Sequence, residues 1–248
     1  MENTFTSVRP DSKSKFAGAV FLYVFIGLAI TAAVAAIMGF IFKYALPIEY
    51  STSGFINPAT QQNASTYFAV MGGATIAYFI LLIWIMVGTF KGKGNMAVPF
   101  TLYAIVMGIL ISSFTLFVRV ELIAISFAIT CLIFGGLFCI GWFAKKDLSV
   151  FAMLAGGLVF GALLMSLFNI IWMFVSPATF NVMNWVISFI LLIAIMLITI
   201  VDFSRIKKIE ESGQGTKNLA LFCAFSLYVD FIYIFIRVLI FVARASKH

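Results

Sequence analysis

Seven long apolar runs dominate this chain, and each is long enough to cross a bilayer, which takes about 20 mostly apolar residues. The first opens at Phe16. The others cover Tyr67 to Phe90, Met96 to Val118, Leu122 to Phe143, Val150 to Val175, Val182 to Phe203, and Leu219 to Ala243. Of the 248 residues, 63% are apolar and 10% charged, against about 45–50% and about 25% in a soluble domain. The pattern predicts an all-α polytopic membrane protein. Seven spans and short loops consume the length, so no soluble catalytic domain fits beside them. The first run is too long for the apolar part of a signal peptide and is followed by no small-residue cleavage site. It reads as a retained span. The organisation expected is an N-terminal segment over residues 1–15, one transmembrane domain over 16–243 and a tail over 244–248.

Basic residues near the span ends set the orientation. One side carries Arg9, Lys13, Lys15, Lys91, Lys93, Lys145, Lys146, Arg205, Lys207, Lys208 and Lys217. The other side carries Lys43, Arg119, Arg244 and Lys247. An excess of eleven to four places the N-terminus in the cytoplasm and the C-terminus outside, which disfavours a G-protein-coupled receptor. The same bias explains the net charge of +7 without nucleic acid. Cys131, Cys139 and Cys223 lie inside apolar runs and suggest no disulfide framework. The single histidine, His248, excludes histidine metal sites and histidine catalysis.

Within the spans, small residues recur as Gly72-Gly73, Gly135-Gly136, Gly156-Gly157 and Gly161. Such residues let helices approach closely in lipid. Packing inside the bundle is the favoured reading for the Gly157/Gly161 pair, with a dimer face as the alternative. Between the first two runs, the loop from Leu46 to Thr66 contains Asn63-Ala64-Ser65, a glycosylation triplet common by chance.

A charge at the centre of a span costs roughly 2.5–3.5 kcal/mol, so the informative residues are few. Asp230 lies near the middle of the last run, Arg237 two turns later on the same helical face, and Asp202 at the end of the sixth run. If the sixth helix continues to Ser212 and turns at Gly213-Gln214-Gly215-Thr216, Asp202 comes level with Leu227 and Asp230 is its neighbour. If the turn begins at Lys208, the two miss each other. Two carboxylates in a low dielectric cannot both ionise cheaply and would titrate as a unit. Protonated, they can share a hydrogen bond. Ionised, they can repel or hold a hard cation weakly, because calcium wants six to eight oxygens. Structural pairings compete with this reading: Asp202 with Arg205 one turn on, and Asp230 with Arg237. Arg237 is expected to face the bundle or a wet cavity, or to snorkel outward.

Val201-Asp202-Phe203-Ser204-Arg205-Ile206, with Asn218-Leu219-Ala220 and Leu227-Tyr228-Val229-Asp230-Phe231-Ile232, resembles the closing signature of the Bax inhibitor-1 family. Lys146-Asp147-Leu148-Ser149, Leu102-Tyr103-Ala104 with Gly108 and Ser112, and Phe168-Asn169 after the fifth-span glycines are similar to that family as well. The resemblance implies a seven-transmembrane-helix bundle with a central last helix, and an aspartate pair that matches Asp202 and Asp230. It implies a pH-sensitive calcium leak across a bacterial plasma membrane or endoplasmic reticulum, with calcium as the transported ion and no cofactor. It also implies the alternative of a membrane interaction protein, without transport, that regulates a membrane protease or a stress response. The family's usual threonine after the first aspartate is Phe203 here. The second-span arginine of some members is missing, which leaves Arg205 or Arg237 as charge partners. An intramembrane aspartyl protease is disfavoured, because its Gly-x-Gly-Asp pattern is absent. A retinal protein is excluded, because the last span holds no lysine.

Overall fold

A bilayer offers the backbone no hydrogen-bond partners, so each crossing segment must satisfy its own N–H and C=O groups as a helix. The computed structural model describes residues 15–47, 60–91, 96–144 and 148–246, and all its regular elements are helical. These are α1 (Phe16–Phe40, continued by a π-helical turn Ile41–Ala45), α2 (Gln61–Lys91), α3 (Ala97–Ser112), α4 (Phe114–Phe117), α5 (Val120–Phe143), α6 (Ser149–Val175), α7 (Pro177–Ser212) and α8 (Lys217–Ala245). With α3 and α4 taken together, seven segments are long and apolar enough to span. Arg9, Lys13, Lys93, Lys145, Lys146 and Lys247, used above for orientation, lie outside the described residues.

Several helices outrun their apolar runs, because hydropathy marks the bilayer edge and helix ends are set by local hydrogen bonds. α2 begins at Gln61 instead of Tyr67, which puts the glycosylation triplet inside a helix. There the Asn63 side-chain amide donates to the Pro47 carbonyl at 3.0 Å. α7 begins at Pro177, where the Ser176 hydroxyl accepts from the Thr179 N–H at 3.4 Å. It ends nine residues past Phe203, in a charged segment where Lys207 and Glu211 pair at 3.9 Å. The third span, expected as one helix, breaks at Ser113. The Ser112, Ser113 and Thr115 hydroxyls bond the carbonyls three residues back at 2.6 to 2.7 Å and so compete with the backbone ladder.

The chain packs as two compact units. One comprises Gly18–Glu121 and Thr216–Phe225. In it, the Thr31 hydroxyl of α1 lies 3.0 Å from the Ala104 carbonyl of α3. Gly108 on the same helix is so close to α1 that a Cβ there would sit 2.7 Å from Val34 Cβ and 2.8 Å from the Thr31 carbonyl oxygen. Tyr103 stacks against Tyr78 of α2 and Phe225 at the start of α8.

Among the described residues, the other unit comprises 15–17, Leu122–Gly215 and 226–246. It holds α5, α6, α7 and most of α8. α6 and α7 form a tight hairpin, pinned by Asn169, whose buried side-chain amide donates to Asn184 Oδ1 at 3.0 Å. α8 is the most enclosed span. Of its apolar stretch 61% is buried, against 11% to 33% for the other six.

The small-residue faces correct one expectation. Gly157 and Gly161, like Gly72, Gly73, Gly135, Gly136 and Gly156, would accept a Cβ with no atom of a neighbouring helix within 4 Å. They do not pack inside the bundle, because their helices turn those faces outward. The close approaches are instead at Gly108 and Gly141. Gly108→Ala should therefore lower the stability of the purified protein by about 1–3 kcal/mol through overpacking. Gly157→Ala should leave it unchanged or slightly raise it. Thermal unfolding in detergent distinguishes the two, and equal losses would contradict this packing.

Candidate functional site

The site is built on the antiparallel return of α8 along α7. Gly213 ends α7 with φ 68°, a left-handed conformation that costs glycine little, and its N–H reaches the Glu210 carbonyl at 3.1 Å. Thr216 starts the next helix, its hydroxyl accepting from the Leu219 N–H at 3.3 Å. Because α7 runs to Ser212, the longer of the two conceivable registers applies. It holds along the whole seam. Asp202 meets Ser226, Ser188 meets Arg237, and the rings of Trp185 and Phe241 lie 5.0 Å apart.

Each aspartate faces a hydroxyl of the opposite helix. The Ser226 hydroxyl donates to Asp202 Oδ2. Asp230, one turn after Ser226, is 7% exposed and has Thr199 and Asp202 as its polar neighbours. Thr199 lies one turn before Asp202 and is fully buried, and its hydroxyl also lies 2.8 Å from the Ile195 carbonyl oxygen. One oxygen of Asp230, Oδ2, is buried without a hydrogen-bond partner. A buried acceptor left unmatched costs about 1–3 kcal/mol.

The residue after each aspartate is phenylalanine, and both rings dock on α5. Phe134 lies 5.1 Å from Phe203 and 5.3 Å from Phe231, edge to face. Phe138 adds a second contact to Phe203 at 5.3 Å, and Phe127 one to Phe231 at 5.6 Å. Gly141 admits α7 here, because a Cβ would fall 2.6 Å from the Ile200 carbonyl oxygen and 2.7 Å from Phe203 Cβ. The departure from the family's threonine thus has a packing reason. Phe203, fully buried, fills the space that Phe134, Phe138 and Gly141 leave.

The arginines divide. Arg205 is exposed and acts on Asp202 electrostatically from one turn away. Arg237 is half-buried and donates to the Ser188 hydroxyl at 2.9 Å, so it is engaged with α7 rather than with Asp230. Ser226, Thr199, Ser188 and Phe134 were not among the sequence candidates. A signal existed: Asn184, Ser188, Thr199 and Asp202 fall on one face of a helix, as do Ser226, Asp230 and Arg237. Among the described residues no three His, Cys, Asp or Glu side chains cluster.

The family model described as "Inhibitor of apoptosis-promoting Bax1" matches residues 13–247. The chain is also similar to the inner membrane protein YbhL of Escherichia coli K12. The two are 28% identical over 173 residues, covering 67% of this chain and 71% of that protein. The YbhL of E. coli O6:H1 matches to the same degree.

Ser226→Ala should remove the one hydrogen bond given to Asp202 across the seam and cost about 1–3 kcal/mol. In the Asp202→Ala background the same change should cost measurably less, because the two side chains act together. A double-mutant cycle in detergent unfolding checks this, and additive losses would show that the hydroxyl does not serve Asp202.

Proposed function

Because this chain belongs to the Bax inhibitor-1 family, we propose that it is a pH-sensitive calcium leak channel of a bacterial plasma membrane, gated by Asp202 and Asp230. The observation that carries this reading is the buried, unmatched oxygen of Asp230 beside a second carboxyl, in the most enclosed span of the protein. An intramembrane carboxyl pair is expensive to maintain for packing alone.

The two charge states would act differently on the α7–α8 seam. With a proton between them the carboxyls carry one negative charge, and a hydrogen bond can hold the helices together. With both ionised they repel in a low dielectric and attract a divalent cation. Ser226 and Thr199 keep hydroxyls beside the carboxyls in either state. Calcium is cargo in this scheme, met by two carboxylates and water, and no resident cofactor takes part. Arg205 stands one turn from Asp202, toward the end where α7 turns into α8. Arg237 lies two turns from Asp230, at the far side of the seam, where its charge opposes cation passage.

Proteoliposomes that contain only this protein test the reading. Calcium flux should depend on pH. Asp202→Asn or Asp230→Asn should each remove most of that dependence, and the double variant should add little, because the pair titrates as one unit. Absence of flux from the pure protein would favour the interaction-protein alternative. Independent, additive effects would make the aspartates two unrelated structural residues.

The orientation proposed puts the N-terminus in the cytoplasm and the C-terminus outside. Labels at Lys15 and at a tag after His248 should then be accessible from opposite faces of the membrane. Access from the same face would overturn the seven-crossing topology.

A further inference from the structure

The last two turns of α8 and the first turns of α7 carry a feature that gating does not use. An apolar groove of about 500 Å³ runs between the two helices, lined by Trp185, Val186, Phe189, Ile190, Leu192 and Phe241. Phe189, Val186 and Trp185 are 57%, 42% and 40% exposed, so the groove opens to the outside of the helix pair. At its end the guanidinium of Arg244 lies 4.9 Å from the centre of the Trp185 ring. This stacking holds an exposed cation at the groove's mouth instead of leaving it free to extend into water. Arg237, about 10.5 Å deeper along α8, is held by Ser188 at 2.9 Å.

These two cations lack counter-charge in the elements that form the groove. The sequence has no Asp or Glu in α6, in α7 before Asp202, or in α8 after Asp230. The hydrogen bond that Arg237 donates goes to a neutral hydroxyl. A positive end on an apolar groove, at the end of a membrane span, is complementary to a molecule with an anionic head and a hydrocarbon tail.

We propose that this groove binds an anionic phospholipid from the surrounding leaflet. Its phosphate pairs with the guanidinium of Arg244, and one acyl chain lies along Trp185, Val186, Phe189 and Ile190. Guanidinium matches phosphate through two parallel N–H donors. A zwitterionic lipid binds less well, because its amine brings a second positive charge to a site already rich in them. The inference does not depend on the gating reading, since no residue of the aspartate pair lines the groove.

Quenching of tryptophan fluorescence by lipids brominated on the acyl chain tests it, with the full-length protein in phosphatidylcholine vesicles. Brominated phosphatidylglycerol should quench the Trp185 signal, taken as the difference between the native protein and Trp185→Phe. It should do so at about fivefold lower mole fraction than brominated phosphatidylcholine, the preference expected of one basic residue near an anionic surface. Arg244→Gln should abolish that preference and Arg244→Lys should keep part of it. Native mass spectrometry, counting phosphatidylglycerol retained by the native protein and by Arg244→Gln, gives a second reading that does not need the tryptophan variant. Equal quenching by the two lipids would overturn the proposal, as would a preference that survives Arg244→Gln. Competition by glycerol 3-phosphate, which has the phosphate and no chain, would reduce the site to an anion contact and also overturn it.

Discussion

The cost of leaving a polar group unmatched in hydrocarbon governs this protein. It forces the backbone into helices, and it forces the few polar side chains toward one another. In the unit built from α5 to α8, most of them meet along the α7–α8 seam. Asp202 meets Ser226, Asp230 has Thr199 and Asp202 beside it, and Arg237 meets Ser188. Further along α7, Asn184 meets Asn169 of α6. The polar residues of α7 share one face, so a single helical surface carries contacts from the charged turn to the far end of the span. Among the described residues of this unit, the buried side-chain atoms left unmatched are Asp230 Oδ2 and Asn169 Oδ1. Of these, the carboxyl oxygen is the one a proton can neutralise, which is why the proposed gate is at Asp230.

Precision at such a seam needs rigid walls, and α5 supplies them. Phe134 touches the residue after each aspartate, so a shift of either helix is felt at the same ring. Gly141 lets the backbone of α7 come within contact distance just before Asp202. An aromatic collar on one side and a hydroxyl on the other leave each carboxyl few alternative positions. The proposed response to a proton needs this restraint, because loose side chains would absorb a change of charge without moving a helix.

At the opposite end of the seam the balance of groups reverses. There the helices present apolar side chains and two arginines, with no acidic residue in α7 before Asp202 or in α8 after Asp230. Asp202 and Asp230 lie toward the end where α7 turns into α8, and Arg237 and Arg244 toward the end where the two helices part. α7 and α8 link the ends rigidly, being single uninterrupted helices of 36 and 29 residues.

What the sequence determined by itself was the number of spans, the helical class and the short list of costly charges. Each of these follows from local composition, because about 20 apolar residues can do little else than cross a membrane. The aspartates stood out for the same reason: a charge inside such a run needs an explanation wherever the run folds. Helix ends were less legible, since polar segments such as Gln61 to Thr66 and Ser204 to Ser212 continue helices beyond the bilayer edge. The open faces of Gly157 and Gly161 were misread, because a small residue permits close packing without requiring it. Only the tertiary structure decided the register of α7 against α8, and with it the partners of Asp202, Asp230 and Arg237. That choice rests on a left-handed glycine at the end of one helix, and its consequences are felt eleven to twenty-five residues away, where no local pattern can report which side chains will meet.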